Sequence, residues 1–237
     1  MSRNLISKSL AKPTRELLTD VSELGLDEVI DKVSRESELL KQLPIVKWLF
    51  IGNDIRSTFQ SAFFIKKYSQ FIGKLSHANM SEDDSEKLLE LTLDDGKIEK
   101  IVDNTILYLD RYQNELKAQL LGELFIQTFK NRSFTAKEYN SLMFSIELIH
   151  PYTGIDTLVE FYEYKERMDA ESDDKKKREI WTEGSKIDYA PLSTSGLLKL
   201  PVGGSIMGDI GGAYLNDLGR RFYELVVCNC NVIDDNA

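Results

Sequence analysis

The stretch DIRSTFQSAFFIKKYSQFIGKL, residues 54–75, decides the fold. Placed at about 100° per residue, Ile55, Phe59, Ala62 and Phe63 lie on one side of a helix. Phe64, Ile65, Tyr68, Phe71, Ile72 and Leu75 gather on nearly the opposite side, while Lys66, Lys67, Gln70 and Lys74 share a polar strip. A surface helix keeps one apolar stripe; a helix whose apolar face switches midway meets different neighbours at its two ends. The segment is therefore expected at the centre of a helical bundle, shielded by protein. Gly52-Asn53 reads as the stop before it, and Asp54 or Asn53 as its cap.

Working outward, Pro13 stands where a first-turn proline is tolerated, and Leu17, Leu18, Val21 and Leu24 follow at helical spacing. Gly25 is expected to end that helix, and Leu26, Val29, Ile30 and Val33 to begin another. Pro44 restarts the chain before Ile45, Val46, Trp48, Leu49, Phe50 and Ile51. Ser81 with Asp84, and Thr135 with Glu138, have the spacing of capping boxes. Asp94-Asp95-Gly96 reads as a turn. Ile98 to Leu109 and Leu116 to Phe129 read as helices that could run together; Tyr139, Leu142, Met143 and Ile146 mark the next, which Pro151 closes. Gly154-Ile155-Asp156 leads into a last long helix with Leu158, Val159, Phe161 and Tyr162. Then DAESDDKKK (residues 169–177) is almost wholly charged, a solvated helix extension or a linker. Five glycines between Gly203 and Gly212, a short Tyr214-Leu215 strand and a helix capped by Asn216 read as a hairpin plus helix. The expected fold is mainly α, an irregular helical bundle over residues 1–168, a charged connector over 169–186, and a small wing-like α+β element over 187–237.

The 237 residues, 42% hydrophobic and 29% charged, are enough to bury a sizeable core. The formal net charge of −9 repels phosphate backbones, which argues against general nucleic-acid binding. The N-terminal MSRNLISKSLAKPTRELL has no continuous apolar core, and charges interrupt each apolar run short of the ~18 residues a bilayer span needs. Cytoplasmic localisation is expected. The two cysteines, Cys228 and Cys230, are poorly placed for an ordinary stabilising disulfide, which suits a reducing compartment. As half of a metal site they would need ligands, yet the histidines, His77 and His150, are far away in sequence. No metal and no cofactor are expected.

Lys117 stands out, because Leu120, Leu121, Leu124 and Phe125 form an apolar arc that contains it. A lysine there must snorkel to water or meet a carboxylate. On a helix continuous from about residue 100, Asp110 lies seven residues earlier on the same face, and could be that partner. The pair reads either as a site lysine with a perturbed pKa or, the simpler case, as structural. Gly203-Gly204-Ser205-Ile206-Met207-Gly208 lacks the Gly-Lys-Ser/Thr ending of a phosphate loop, and a hairpin tip explains its glycines more simply. Arg220-Arg221 could touch nucleic acid, as in a winged-helix regulator, but residues 187–228 carry Asp188, Asp209, Asp217 and Glu224 against Lys199, Arg220 and Arg221, so this end is not basic, and no complete helix-turn-helix precedes the hairpin. Trp48, Phe50, Lys66 and Lys67 form a candidate interaction surface, which the membrane-surface reading would press against lipid. No Ser/His/Asp constellation, HExxH or dinucleotide fingerprint is present, so no catalytic residue is nominated and an enzyme is not expected.

Leu43-Pro44-Ile45-Val46, then Asp54-Ile55-Arg56 and an aromatic helix with Lys66-Lys67 and Phe71, resembles the N-terminal half of the Abi-alpha (abortive-infection alpha) family. The similarity continues through Leu109-Asp110-Arg111, Lys117, Leu121 and Leu124-Phe125, over residues 40–165. Ser195-Gly196-Leu197-Leu198 and Tyr214 to Phe222 resemble an ending often appended to such bundles, although Asn216-Asp217 stands where a threonine is commoner. The resemblance implies a bacterial or phage protein of phage–host conflict, acting in abortive infection or exclusion. It brings no catalytic residues with it. The expected function is thus non-enzymatic binding of a protein partner, with a membrane-surface effector as the alternative, and self-association is left open.

Overall fold

The computed structural model describes residues 5–35, 45, 55–81, 95–200 and 212–230. It is mainly helical with a small two-stranded antiparallel sheet near the C-terminus, and it divides into two compact units, residues 1–143 and 144–237. Among the described residues no helix is long and apolar enough to cross a membrane.

In the first unit, α1 (Leu5–Leu10), α2 (Lys12–Glu23) and α3 (Leu26–Arg35) precede the long α4 (Ile55–His77). Next come α5 (Asp95–Arg111), α6 (Glu115–Phe125) with a π-helical turn at Ile126–Lys130, and α7 (Ala136–Leu148), whose residues from Phe144 on belong to the second unit. Pro13 sits in the first turn of α2, where its missing N–H has no intrahelical partner to lose. Leu18 and Val21 turn inward from α2, and Val29 from α3.

Helix α4 is the hub, packed against α1, α2, α3, α5 and α6. Phe64, Ile65, Tyr68, Phe71, Ile72 and Leu75 are buried, as the switching apolar face requires, while Phe59 near its start is 51% exposed. Tyr68 donates to Ser9 Oγ of α1 at 2.8 Å. Phe71 meets Phe125 of α6 edge-on with ring centroids 5.8 Å apart, and Phe125, Phe129 and Tyr139 complete an aromatic core with α7. Such pairs contribute about 0.5–1.5 kcal/mol each beyond the area they bury. Asn79, at φ 54°, ends α4 in a Schellman turn: Met80 N–H donates to Leu75 O at 3.1 Å and Asn79 N–H to Ser76 O at 2.9 Å.

Two local expectations change here. Asp95 and Gly96 are the first turn of α5, not a turn before it. The run from α5 into α6 is also broken. After Arg111 the chain leaves the helix, and Asn114 recaps it by accepting from Lys117 N–H at 3.1 Å. Further on, the Thr135–Glu138 capping box forms: Thr135 N–H donates to Glu138 Oε2 at 2.7 Å and Glu138 N–H to Thr135 Oγ1 at 3.2 Å. The Ser81–Asp84 box lies outside the described residues.

In the second unit, α8 (Thr153–Ala170) and α9 (Asp174–Gly184) lead to a 3-10 turn at Ala190–Leu192 and to strands β1 (Leu198–Lys199) and β2 (Tyr214–Leu215). The charged stretch thus holds α9, started by Asp173, whose carboxylate accepts from the N–H groups of Lys175 and Lys176. The strands pair antiparallel, Leu198 opposite Leu215, and α10 (Asp217–Phe222) follows. Asn216 caps α10 by accepting from Gly219 N–H at 2.8 Å. Gly219 itself lies against Leu197 O, where any side chain would collide with backbone, so α10 rests directly on the chain entering β1. Ile155, Leu158, Phe161, Leu192, Leu197, Leu215, Phe222, Val226 and Val227 form this unit's core.

Candidate functional site: the lysines of the central helix

Each helix leaves its last carbonyls without intrahelical partners, and cations are favourable there because the helix dipole is negative at that end. Two adjacent residues of α4 exploit this in different directions. Lys66 Nζ donates to Ser22 O at 2.8 Å and to Leu24 O, at the end of α2. Lys67 Nζ donates to Asp110 O and Tyr112 O, both at 2.7 Å, at the end of α5. Lys67 also lies over the Phe63 ring, 4.9 Å from its centroid. One dipeptide thus ties two helix ends to the hub. Elsewhere Lys130, which ends the π-helical turn after α6, donates to Ala78 O, just past the end of α4.

The polar strip foreseen on α4 is therefore not an exposed face. Lys66 and Lys67 are 5% and 2% exposed, which corrects their placement on an interaction surface. Their neighbours Ile65, Tyr68 and Phe71 need burial on both sides of the strip, and the ammonium groups follow because carbonyls are within reach. Burial holds the Lys67 ammonium down to about 8 against its ordinary 10.5, and the charge of Asp110 opposes that shift.

Lys66, Gln70 and Lys74 recur every fourth residue and face Glu115, Gln119 and Glu123, spaced alike on α6. Lys66 Nζ lies 3.5 Å from Glu115, Gln119 donates to Gln70 Oε1 at 2.9 Å, and Lys74 Nζ lies 3.7 Å from Glu123. Gln70 also donates to Ser22 O at 2.8 Å and to Glu115 at 3.1 Å. Both series ascend together, so the two helices run parallel with matched polar rungs along one side and the aromatic core on the other. Gly122 permits the close approach: a Cβ there would stand 2.9 Å from Lys74 Cβ and 3.2 Å from Phe71 O.

Lys117 is buried, 3% exposed, in the arc that drew attention to it. Asp110 is exposed near the end of α5, and the break before Asn114 removes the helical register that put the two on one face. Trp48 and Phe50 lie outside the described residues, as does the glycine run 203–208. Ser195 is structural: its Oγ donates to Leu192 O and accepts from Leu197 N–H, and its carbonyl accepts from Ser145. A cleft of about 310 Å³ between α2 and the end of α4 is lined by Arg15, Glu16, Thr19, Asp20, Ser76 and Asn79. Among the described residues no group of three or more His, Cys, Asp or Glu side chains could hold a metal ion. Chemically the lysine–carbonyl and lysine–carboxylate contacts amount to fastening. The matched i, i+4, i+8 spacing on α4 and α6 is the sequence signal that would have revealed the rungs.

Compared with known protein families, with curated proteins and with solved structures, the chain gives no match.

Proposed function

We propose that the protein acts by binding another protein and catalyses no reaction, and that its setting is phage–host conflict, as the similarity to the Abi-alpha family implies. The observation that carries the binding reading is how the side chains are shared between inside and outside. The cations and amides of α4 that could act on a ligand are engaged by other helices, while large apolar side chains, Phe59, Leu107, Phe144 and Trp181 among them, face outward on helices. Exposed aromatic and large aliphatic side chains are the usual anchors of protein interfaces. The phage–host setting rests on the resemblance alone; of the residues that carry it, Leu109, Lys117, Leu121, Leu124 and Phe125 are buried, while Asp110 and Arg111 are exposed.

Affinity capture from phage-infected and uninfected bacterial cells tests this reading. A partner enriched only on infection, and lost with Leu107→Ser or Phe144→Ser while the fold is kept, is the expected result. Turnover of a nucleotide by the purified chain would contradict it. So would flotation with anionic liposomes, which would put the membrane-surface reading in its place.

A further inference from the structure

Helix α6 carries a repeat of four on each of two sides. On its core side Leu120 recurs as Leu124, and Leu121 as Phe125 and Phe129, all of them buried. Phe71 of α4 meets Phe125 there. If α6 slid along α4 by one turn, about 6 Å, Leu121 or Phe129 would arrive opposite Phe71 instead. Apolar packing alone thus offers three seatings of α6 with similar content, and a parallel pair with so regular a face needs polar side chains to choose among them. The other side makes the choice, because its rungs alternate: Lys66 with Glu115, Gln70 with Gln119, Lys74 with Glu123. Moved one turn in one direction, Lys66 and Lys74 face Gln119 and Gln127, while Glu123 faces Gln70. Moved one turn in the other, Lys74 faces Gln119, Gln70 faces Glu115 and Glu123 faces Ala78. Neither slip keeps a lysine opposite a carboxylate. Glu123 is only 7% exposed, and a buried carboxylate without its cation is costly.

Gly122 acts in the same sense. A Cβ at its place stands 2.9 Å from Lys74 Cβ and 3.2 Å from Phe71 O, and a one-turn slip brings Ala118 or Ile126 there. The two ion pairs are long, 3.5 and 3.7 Å, where a strong charge-assisted bond is about 2.7–2.9 Å. At that length they add little attraction, and what they supply is a difference between registers. We propose that the alternating rungs and Gly122 form a register key, which selects one seating of α6 on the hub and rejects the seatings one turn away. Lys66 and Lys67 hold α4 itself to the ends of α2 and α5, so α6 is the helix whose place the key decides.

Denaturant unfolding and native-state hydrogen exchange of the full chain test this. Lys74→Met and Glu123→Met are each expected to lower the unfolding midpoint, since the partner loses its opposite charge. The two together are expected to return the midpoint close to that of the unaltered chain. Amide exchange over Glu115–Phe125 should nevertheless rise by about tenfold or more in that double variant, because slipped seatings no longer forfeit the charge pair. Gly122→Ala with both rungs intact is expected to lower the midpoint, as the added Cβ meets Lys74. A double variant that loses as much as the two single ones combined would overturn the proposal, since the pair would then be a plain stabiliser. Exchange over α6 that stays at its original rate in the double variant would overturn it as well.

Discussion

The chain carries two runs of lysine whose fates are opposite. Lys66-Lys67 on α4 is buried and tied to the ends of α2 and α5, whereas Lys175 and Lys176 on α9 are exposed. The difference lies in the neighbours three and four residues away. Around Lys66 and Lys67 stand Ala62, Phe64 and Phe71, which drive the helix into the core from more than one direction. Around Lys175 and Lys176 stand Glu171, Asp173 and Glu179, and of α9 only Gly184 is fully buried. A lysine's charge does not decide its burial; the apolar surface its helix must hide, and the carbonyls within reach, decide it.

The contrast is broken first at Lys67. Lys67→Met keeps the stem and removes the ammonium, leaving Asp110 O and Tyr112 O without that donor. Unfolding in denaturant should show a loss of about 2–4 kcal/mol, since orphaned buried carbonyls cost more than a made bond contributes. Lys66→Met should cost less, about 1–2 kcal/mol, because Gln70 still donates to Ser22 O. Lys176→Met should stay within about 0.5 kcal/mol, as exposed positions do.

The pH dependence sharpens the same contrast. Lys67 titrates near 8 in the fold against 10.5 unfolded, so below 8 the fold carries a buried charge at a cost. Its contribution to stability is complete above 10.5 and is lost as pH falls through 8. Between those values stability should rise with pH by at most about 1.4 kcal/mol per unit. Tyr68 and Tyr139 are held protonated by burial well above their ordinary 10.0, so their contribution is present below that and is lost as pH rises past it. A melting midpoint that climbs from pH 8 to 9.5 and then falls is expected, and the climb should vanish in Lys67→Met.

The sequence showed the hub and hid its fastenings. Residues 54–75 announced a central helix because an apolar face that switches sides has few other homes, and Phe64, Tyr68 and Phe71 sit in the core accordingly. The Thr135–Glu138 box and the Asn216 cap were legible because each uses only local spacing. The destination of Lys66 and Lys67 was not, because the acceptors are main-chain carbonyls of residues more than forty positions away, and a carbonyl has no sequence signature. Asn114 followed by Glu115 is a cap signal that the apolar periodicity across residues 98–129 obscured, and it is what separates Asp110 from Lys117. The π-helical turns at Ile126–Lys130 and Tyr223–Val227 depart from the 3.6-residue repeat on which such readings depend.

The central claim, that adjacent lysines of α4 point inward to bind the ends of two other helices, is tested most directly by mapping amine reactivity in the folded chain. Brief reductive methylation at pH 7.5 and peptide analysis should modify Lys175 and Lys176 readily while Lys66 and Lys67 stay unmodified until the chain is unfolded. Equal modification of both runs in the folded protein would contradict it.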